Sequence, residues 1–261
     1  MSLVLVIDIG NTHTVFGILD GLDVKEHWRI TSTLVRTEDE IGMLLKNYFE
    51  HAGLRFSDIE GVSVSSVVPD LSKAYLWMSE KYFKKEALLI DSSLDLGLTI
   101  NYKDPKTVGA DRLCNAVAGI YKYGQPLIIL DFGTATTFDC IDQNGNYAGG
   151  VIAPGIETSI SSLHKRAAKL PLVELRIPES PIGLTTEESI QIGILKGTIH
   201  SVIGIIKDLR NVLGQSAKVI ATGGLAKVIS KETEIIDSVD TFLSLSGNAL
   251  IYQKNKHMVS S

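Results

Sequence analysis

Two stretches of the chain carry the residue types that phosphate chemistry needs. The first is Asp8-Ile9-Gly10-Asn11-Thr12-His13-Thr14-Val15. An apolar run ends in a carboxylate, a glycine turns the chain, and small polar residues follow. Glycine lets backbone N–H groups approach an anion where a side chain would block it. The Asp8 carboxylate suits Mg²⁺ or its water shell, because that ion keeps several waters and takes few protein ligands. The second stretch, Asp131-Phe132-Gly133-Thr134-Ala135-Thr136-Thr137, repeats the order 131 − 8 = 123 residues later, close to half of the 261-residue chain. One such loop alone also fits an ordinary strand-end turn. Two copies, facing each other across a cleft, would clamp the phosphates of a nucleotide. Thr222-Gly223-Gly224 would lie against the adenosine.

A third group, Gly109-Ala110-Asp111-Arg112, opens a predicted helix. An acidic residue in a first turn is favoured by the helix dipole whatever its function. The same carboxylate would also serve as proton acceptor for a hydroxyl attacking a γ-phosphate. Arg112 would grip a substrate carboxylate through its planar fork.

These groups need strands that end where the chemistry begins. Leu3 to Ile7 is a continuous apolar run, as in a strand buried on both faces. Strands are predicted at 15–19 and 24–30. A helix follows, with Thr37 and Glu40 at capping-box spacing and Ile41, Leu44, Leu45, Tyr48 and Phe49 on one stripe. A strand at 62–68, a helix near 71–82 and a strand at 87–90 complete the unit. The order restarts at Pro126, with strands at 126–130 and 136–141, an Asn144-Gly145 hairpin turn, and a return strand at 147–153. This is a degenerate duplication of a βββαβαβ unit. The expected halves are residues 1–118 and 119–261. In the second half, 185–213 is expected as one long helix capped by Thr185. Its Gly193, Gly197 and Gly204 would allow close helix approach. The tail from about Gln253 is polar.

Composition narrows the function. Lys plus Arg is 25 and Asp plus Glu is 30, a net charge of −5, so there is no basic excess to neutralise the phosphates of a nucleic acid. Only two cysteines, Cys114 and Cys140, occur, which suggests a reduced, cytoplasmic setting. The clean apolar runs fall far below the roughly 20 residues that span a bilayer. The six histidines lack metal-ligand spacing.

The ordered set of Asp8 to Thr12, Gly109 to Arg112 and Asp131 to Thr137 resembles the type III pantothenate kinases. Tyr147 to Gly155 (YAGGVIAPG) and Ala168-Lys169-Leu170-Pro171 extend the resemblance over about residues 3–250. It implies an α/β protein with the duplicated actin-like (ribonuclease H-like) ATPase fold and a nucleotide cleft between two halves. The implied activity is ATP-dependent phosphorylation of pantothenate to 4′-phosphopantothenate, the first step of coenzyme A synthesis. By the same resemblance, Asp8 to Val15 form the ATP phosphate loop, Thr134 contacts ATP, and Asp111 is the base. Tyr102 and Gly109, Ala110, Asp111 and Arg112 line the pantothenate pocket. Asp131 ligates a monovalent cation, K⁺ or NH₄⁺. Thr186 reaches pantothenate from a partner subunit, so a homodimer with shared sites is implied. The competing readings are another small-molecule kinase of the superfold, and a non-catalytic accessory or regulatory protein. Retention of Asp8, Asp111 and Asp131 favours an enzyme.

Overall fold

A computed structural model describes residues 2–259. The chain divides into two compact units. One runs to Lys122 and resumes at Phe242; the other is Tyr123–Thr241.

The first unit opens with β1 (Leu3–Ile9), β2 (His13–Asp20) and β3 (Asp23–Thr31). These are followed by α1 (Glu38–His51), β4 (Ile59–Ser66), α2 (Pro69–Met78), β5 (Ala87–Leu89) and α3 (Ala110–Tyr123). The sheet order is β3-β2-β1-β4-β5, with β1 antiparallel to β2 and parallel to β4. The apolar run of β1 is continuous because both of its faces are covered. Leu5, Ile7 and Ile9 pack with Ile41, Leu45 and Phe49 of α1 and Leu71 and Tyr75 of α2. Val4 and Val6 pack on the opposite side with Leu245, Ala249 and Tyr252. Side chains that alternate across a strand fill both layers. Each such fully buried aliphatic side chain is worth about 1.5–3 kcal/mol.

The capping box of α1 forms as its spacing predicts. The Glu40 N–H donates to Thr37 Oγ1 at 3.3 Å, and the Thr37 N–H donates to Glu40 Oε2 at 2.8 Å. Gly53, past the helix end, takes φ +70°, which ends the helix in the left-handed region.

The second unit repeats the plan with β6 (Leu127–Phe132), β7 (Ala135–Ile141), β8 (Tyr147–Pro154), α4 (Ile156–Arg166), α5 (Thr186–Gln191), α6 (Gly197–Leu213), β9 (Lys218–Gly223), α7 (Ala226–Ile229) and β10 (Ser238–Val239). Its sheet order, β10-β9-β6-β7-β8, mirrors that of the first unit strand for strand. A widened π turn, Ile192–Lys196, joins α5 to α6, so Thr186–Leu213 is helical for 28 residues, as its sequence predicts. By length and composition this helix could cross a membrane, which the short apolar runs do not suggest. A third of its most apolar window is buried, and Leu195, Ile199, Val202 and Ile206 belong to the core of the second unit. A Cβ at Gly193, Gly197 or Gly204 would meet no atom within 4 Å beyond its own helix turn, so among the described residues no neighbouring element approaches these glycines closely.

The division differs from the expected halves in two respects, the first being that the break falls after Lys122 and not after residue 118. The chain returns after residue 241, and α8 (Leu243–Asn255) belongs to the first unit. This helix carries no amphipathic stripe, because Leu243, Leu245, Ser246, Gly247, Asn248, Ala249, Ile251 and Tyr252 are all buried. The polar tail that starts near Gln253 is thus partly the last turn of a buried helix.

Candidate active site

In the first unit the Asp-x-Gly loop is the turn between β1 and β2. The Gly10 N–H donates to the His13 carbonyl at 3.0 Å, leaving Asn11 and Thr12 at the tip. A Cβ on Gly10 would sit 3.0 Å from that carbonyl oxygen, so glycine permits the tight hairpin. Ile9 and Thr14 are fully buried, so neither side chain reaches the loop surface.

Asp8 stands on β1 beside Ser65 of β4, its register partner. Ser65 Oγ donates to Asp8 Oδ1 at 2.6 Å, and Ser65 is itself fully buried. The Ser244 hydroxyl of α8 supplies a second hydrogen bond. Burial outweighs both and, with the negative charge of Asp111 nearby, raises the Asp8 pKa to about 6. Asp111 sits in the first turn of α3, where its Oδ1 accepts the Arg112 N–H at 2.7 Å. Burial pushes its carboxyl above the usual range, against the pull of the Arg112 backbone and guanidinium. A Cβ on Gly109 would meet Asp111 Oδ1 at 2.5 Å, so this glycine leaves room for the carboxylate.

Cys114 follows one turn later and is fully buried. Burial and the charges of Asp8 and Asp111 hold its thiol neutral, so it is a core residue and not a nucleophile. Arg112 is buried, while Tyr102 is half-buried between β5 and α3. The first unit thus contains Asp8 to Val15, Tyr102 and Gly109 to Arg112, and within it Asp8 and Asp111 are close enough to feel each other's charge.

Asp131 and Thr134 belong to the second unit. Asp131 is near the end of β6, and Thr134 lies in the turn before β7. Thr158 of α4 donates its hydroxyl to the Thr134 carbonyl at 2.6 Å. Gly155 makes this possible, since a Cβ there would sit 2.3 Å from the same oxygen. Gly223 has φ +88°, and a Cβ on it would approach Asp131 Oδ1 to 2.4 Å. The Thr222-Gly223-Gly224 turn therefore runs against the Asp131 carboxylate. Thr186 is exposed at the start of α5, and the preceding Thr185 caps that helix through the Glu188 N–H at 3.1 Å.

Sequence reasoning missed Ser65 and Ser244. The alternating Val-Ser pattern of β4 was a signal for Ser65, since it puts Ser63 and Ser65 on one face. Among the described residues, no group of three or more His, Cys, Asp or Glu could hold a metal ion. A Mg²⁺ that arrives with a nucleotide needs only one or two carboxylates. Asp8 fits it: a hard oxygen donor, half-buried, next to a second negative charge.

Two mirrored five-stranded sheets, each opening with a β-hairpin whose turn follows Asp-x-Gly, define the duplicated actin-like ATPase fold. Solved structures of that class align along nearly the whole chain. A Campylobacter jejuni protein described as a Baf family transcriptional activator aligns with TM-score 0.61 and 17% identity, over 97% of this chain and 99% of that one. The activator of 2-hydroxyisocaproyl-CoA dehydratase from Clostridium difficile, with bound ADPNP, aligns at 0.58 and 16%, over 98% and 97%. Component A of the Acidaminococcus fermentans (R)-2-hydroxyglutaryl-CoA dehydratase aligns at 0.54 and 15%, over 99% and 100%. At these identities the likeness is one of fold. Residues 4–208 match the family model of the type III pantothenate kinases, and the chain belongs to that family.

Proposed function

We propose that this protein is an ATP-dependent kinase that phosphorylates pantothenate to 4′-phosphopantothenate, opening coenzyme A synthesis. The observation that carries the reading is the pair Asp8 and Asp111. Two half-buried carboxylates from different elements lie near each other, each held above the ordinary pKa range, within the residues that match the family model. Their roles follow from their surroundings. Asp8 ends a strand at the phosphate loop and would hold Mg²⁺, which when bound neutralises phosphate charge. Asp111 has an elevated proton affinity and would accept the proton of the pantothenate hydroxyl. Arg112 would hold the pantothenate carboxylate, with Tyr102, Gly109 and Ala110 lining the pocket. Loop residues Asp8 to Val15, together with Thr134, would contact ATP.

Asp131, a hard oxygen donor against the Gly223 backbone, would ligate K⁺ or NH₄⁺. Thr186 would reach the pantothenate of a second copy in a homodimer, and its exposure supports that role. Both cysteines are buried thiols outside any disulfide, which suits the cytoplasm. The ADPNP bound by the Clostridium difficile relative supports nucleotide use by this fold.

The test is Asp111→Asn. It should lower kcat by about 10²- to 10⁴-fold, the usual worth of a positioned base, while Mg²⁺-ATP affinity stays near wild type. A variant with near-normal kcat contradicts the role.

A further inference from the structure

The first loop is backed by hydroxyls that lie outside its motif. Ser32 directly follows β3. Its N–H donates to the Thr12 carbonyl at 2.9 Å, and its Oγ donates to the Gly10 carbonyl at 2.6 Å. Thr14 Oγ1 lies 3.0 Å from Ser32 Oγ. The Tyr75 hydroxyl, on α2, reaches Thr14 Oγ1 at 3.4 Å. Each hydroxyl owns one proton. The Gly10 carbonyl can only accept, so Ser32 commits its proton there. Thr14 then donates to Ser32, and Tyr75 donates to Thr14. The chain therefore runs one way, from the helix to the loop. Its far members are sealed from water: Thr14 is fully buried and Tyr75 is 1% exposed. Hydrogen bonds in such a series polarise and strengthen one another.

We propose that Ser32 is the positioning residue of the nucleotide-phosphate loop, with Thr14 and Tyr75 orienting its hydroxyl. Its two hydrogen bonds tie down the carbonyls of Gly10 and Thr12. Those oxygens are the negative ends of the loop peptides, and facing an anion they would repel it. Ser32 touches no ligand in this role and acts through the loop alone. The inference rests on the reading that this loop takes nucleotide phosphates.

The experiment is titration calorimetry of Mg²⁺-ADP into the full-length protein. Wild type, Ser32→Ala, Ser32→Thr and Tyr75→Phe are compared, with ligand-free melting temperatures measured alongside. Ser32→Ala should raise Kd by about 10-fold, the value of one well-made hydrogen bond. Ser32→Thr restores the hydroxyl and should stay within about 2-fold of wild type. Tyr75→Phe weakens the series from its far end and should raise Kd by about 3-fold. A lower melting temperature in Ser32→Ala with an unchanged Kd overturns the proposal, because Ser32 would then be structural only. If Ser32→Ala does not fold, Tyr75→Phe decides, and a wild-type Kd in that variant overturns the series. Wild-type protein that binds no Mg²⁺-ADP overturns the nucleotide reading itself, and the positioning role with it.

Discussion

Replacing Gly247 by alanine tests how α8 holds the candidate site together. A Cβ at this position would lie 1.8 Å from the Cys114 carbonyl oxygen and 2.4 Å from its carbonyl carbon. Both are backbone atoms of α3, so no side chain can swing aside. Reaching an ordinary contact of about 3.4 Å requires α8 and α3 to separate by roughly 1.6 Å at this point, a disturbance of the kind that overpacked cores show. Such overpacking costs about 1–3 kcal/mol and sometimes more, while alanine in a helix returns about 1 kcal/mol. A net loss of about 2 kcal/mol is expected, since two backbones resist the shift. The same separation pulls on Asp8, because Ser244 bonds its carboxylate and Asn248 Nδ2 donates to the Ile7 carbonyl at 3.2 Å. Nucleotide affinity should therefore fall together with stability. Urea unfolding gives the first quantity, and Mg²⁺-ADP titration of the folded variant gives the second. A Gly247→Ala protein as stable as wild type, or more so, would refute the packing argument.

Two further outcomes follow from local geometry. The Asp8 pKa is raised from 3.8 to about 6, so the folded state holds that proton more tightly than the unfolded chain does. Its contribution to stability is then full below about pH 4 and is lost as pH rises through about 6. Without divalent metal, Asp8→Asn should gain stability relative to wild type over that interval in paired thermal melts, and a pH-independent difference would contradict the burial of Asp8. Thr37→Ala removes the capping box of α1 and should cost about 1 kcal/mol in urea unfolding, with the candidate site untouched; an unchanged midpoint would show that the box does no work.

The duplication was legible because each half marks itself. An apolar strand must stop where a polar loop begins, and Asp8-Ile9-Gly10 and Asp131-Phe132-Gly133 punctuate the two hairpins identically. The α1 boundaries were legible because Thr37 and Glu40 satisfy the same backbone groups in any setting. The last helix was not legible. Periodicity reports a helix with one wet face, and α8 is dry nearly all round. For the same reason, the return of the chain to the first unit could not be foreseen. Within the candidate site, Asp8, Gly10 and Asp111 showed through their residue types and turns. Ser65 did not, because its bond to Asp8 joins positions 57 residues apart, and Ser32 meets Gly10 across 22 residues. Such contacts come from strand register and helix packing, which local pattern does not encode.

The most direct measurement of the central claim is product analysis by ³¹P NMR after incubating the protein with ATP, Mg²⁺, K⁺ and pantothenate. The account predicts a new phosphate monoester that appears in equal amount with ADP and only when pantothenate is present. ADP with free inorganic phosphate and no ester, or no ADP from a folded protein, would contradict it.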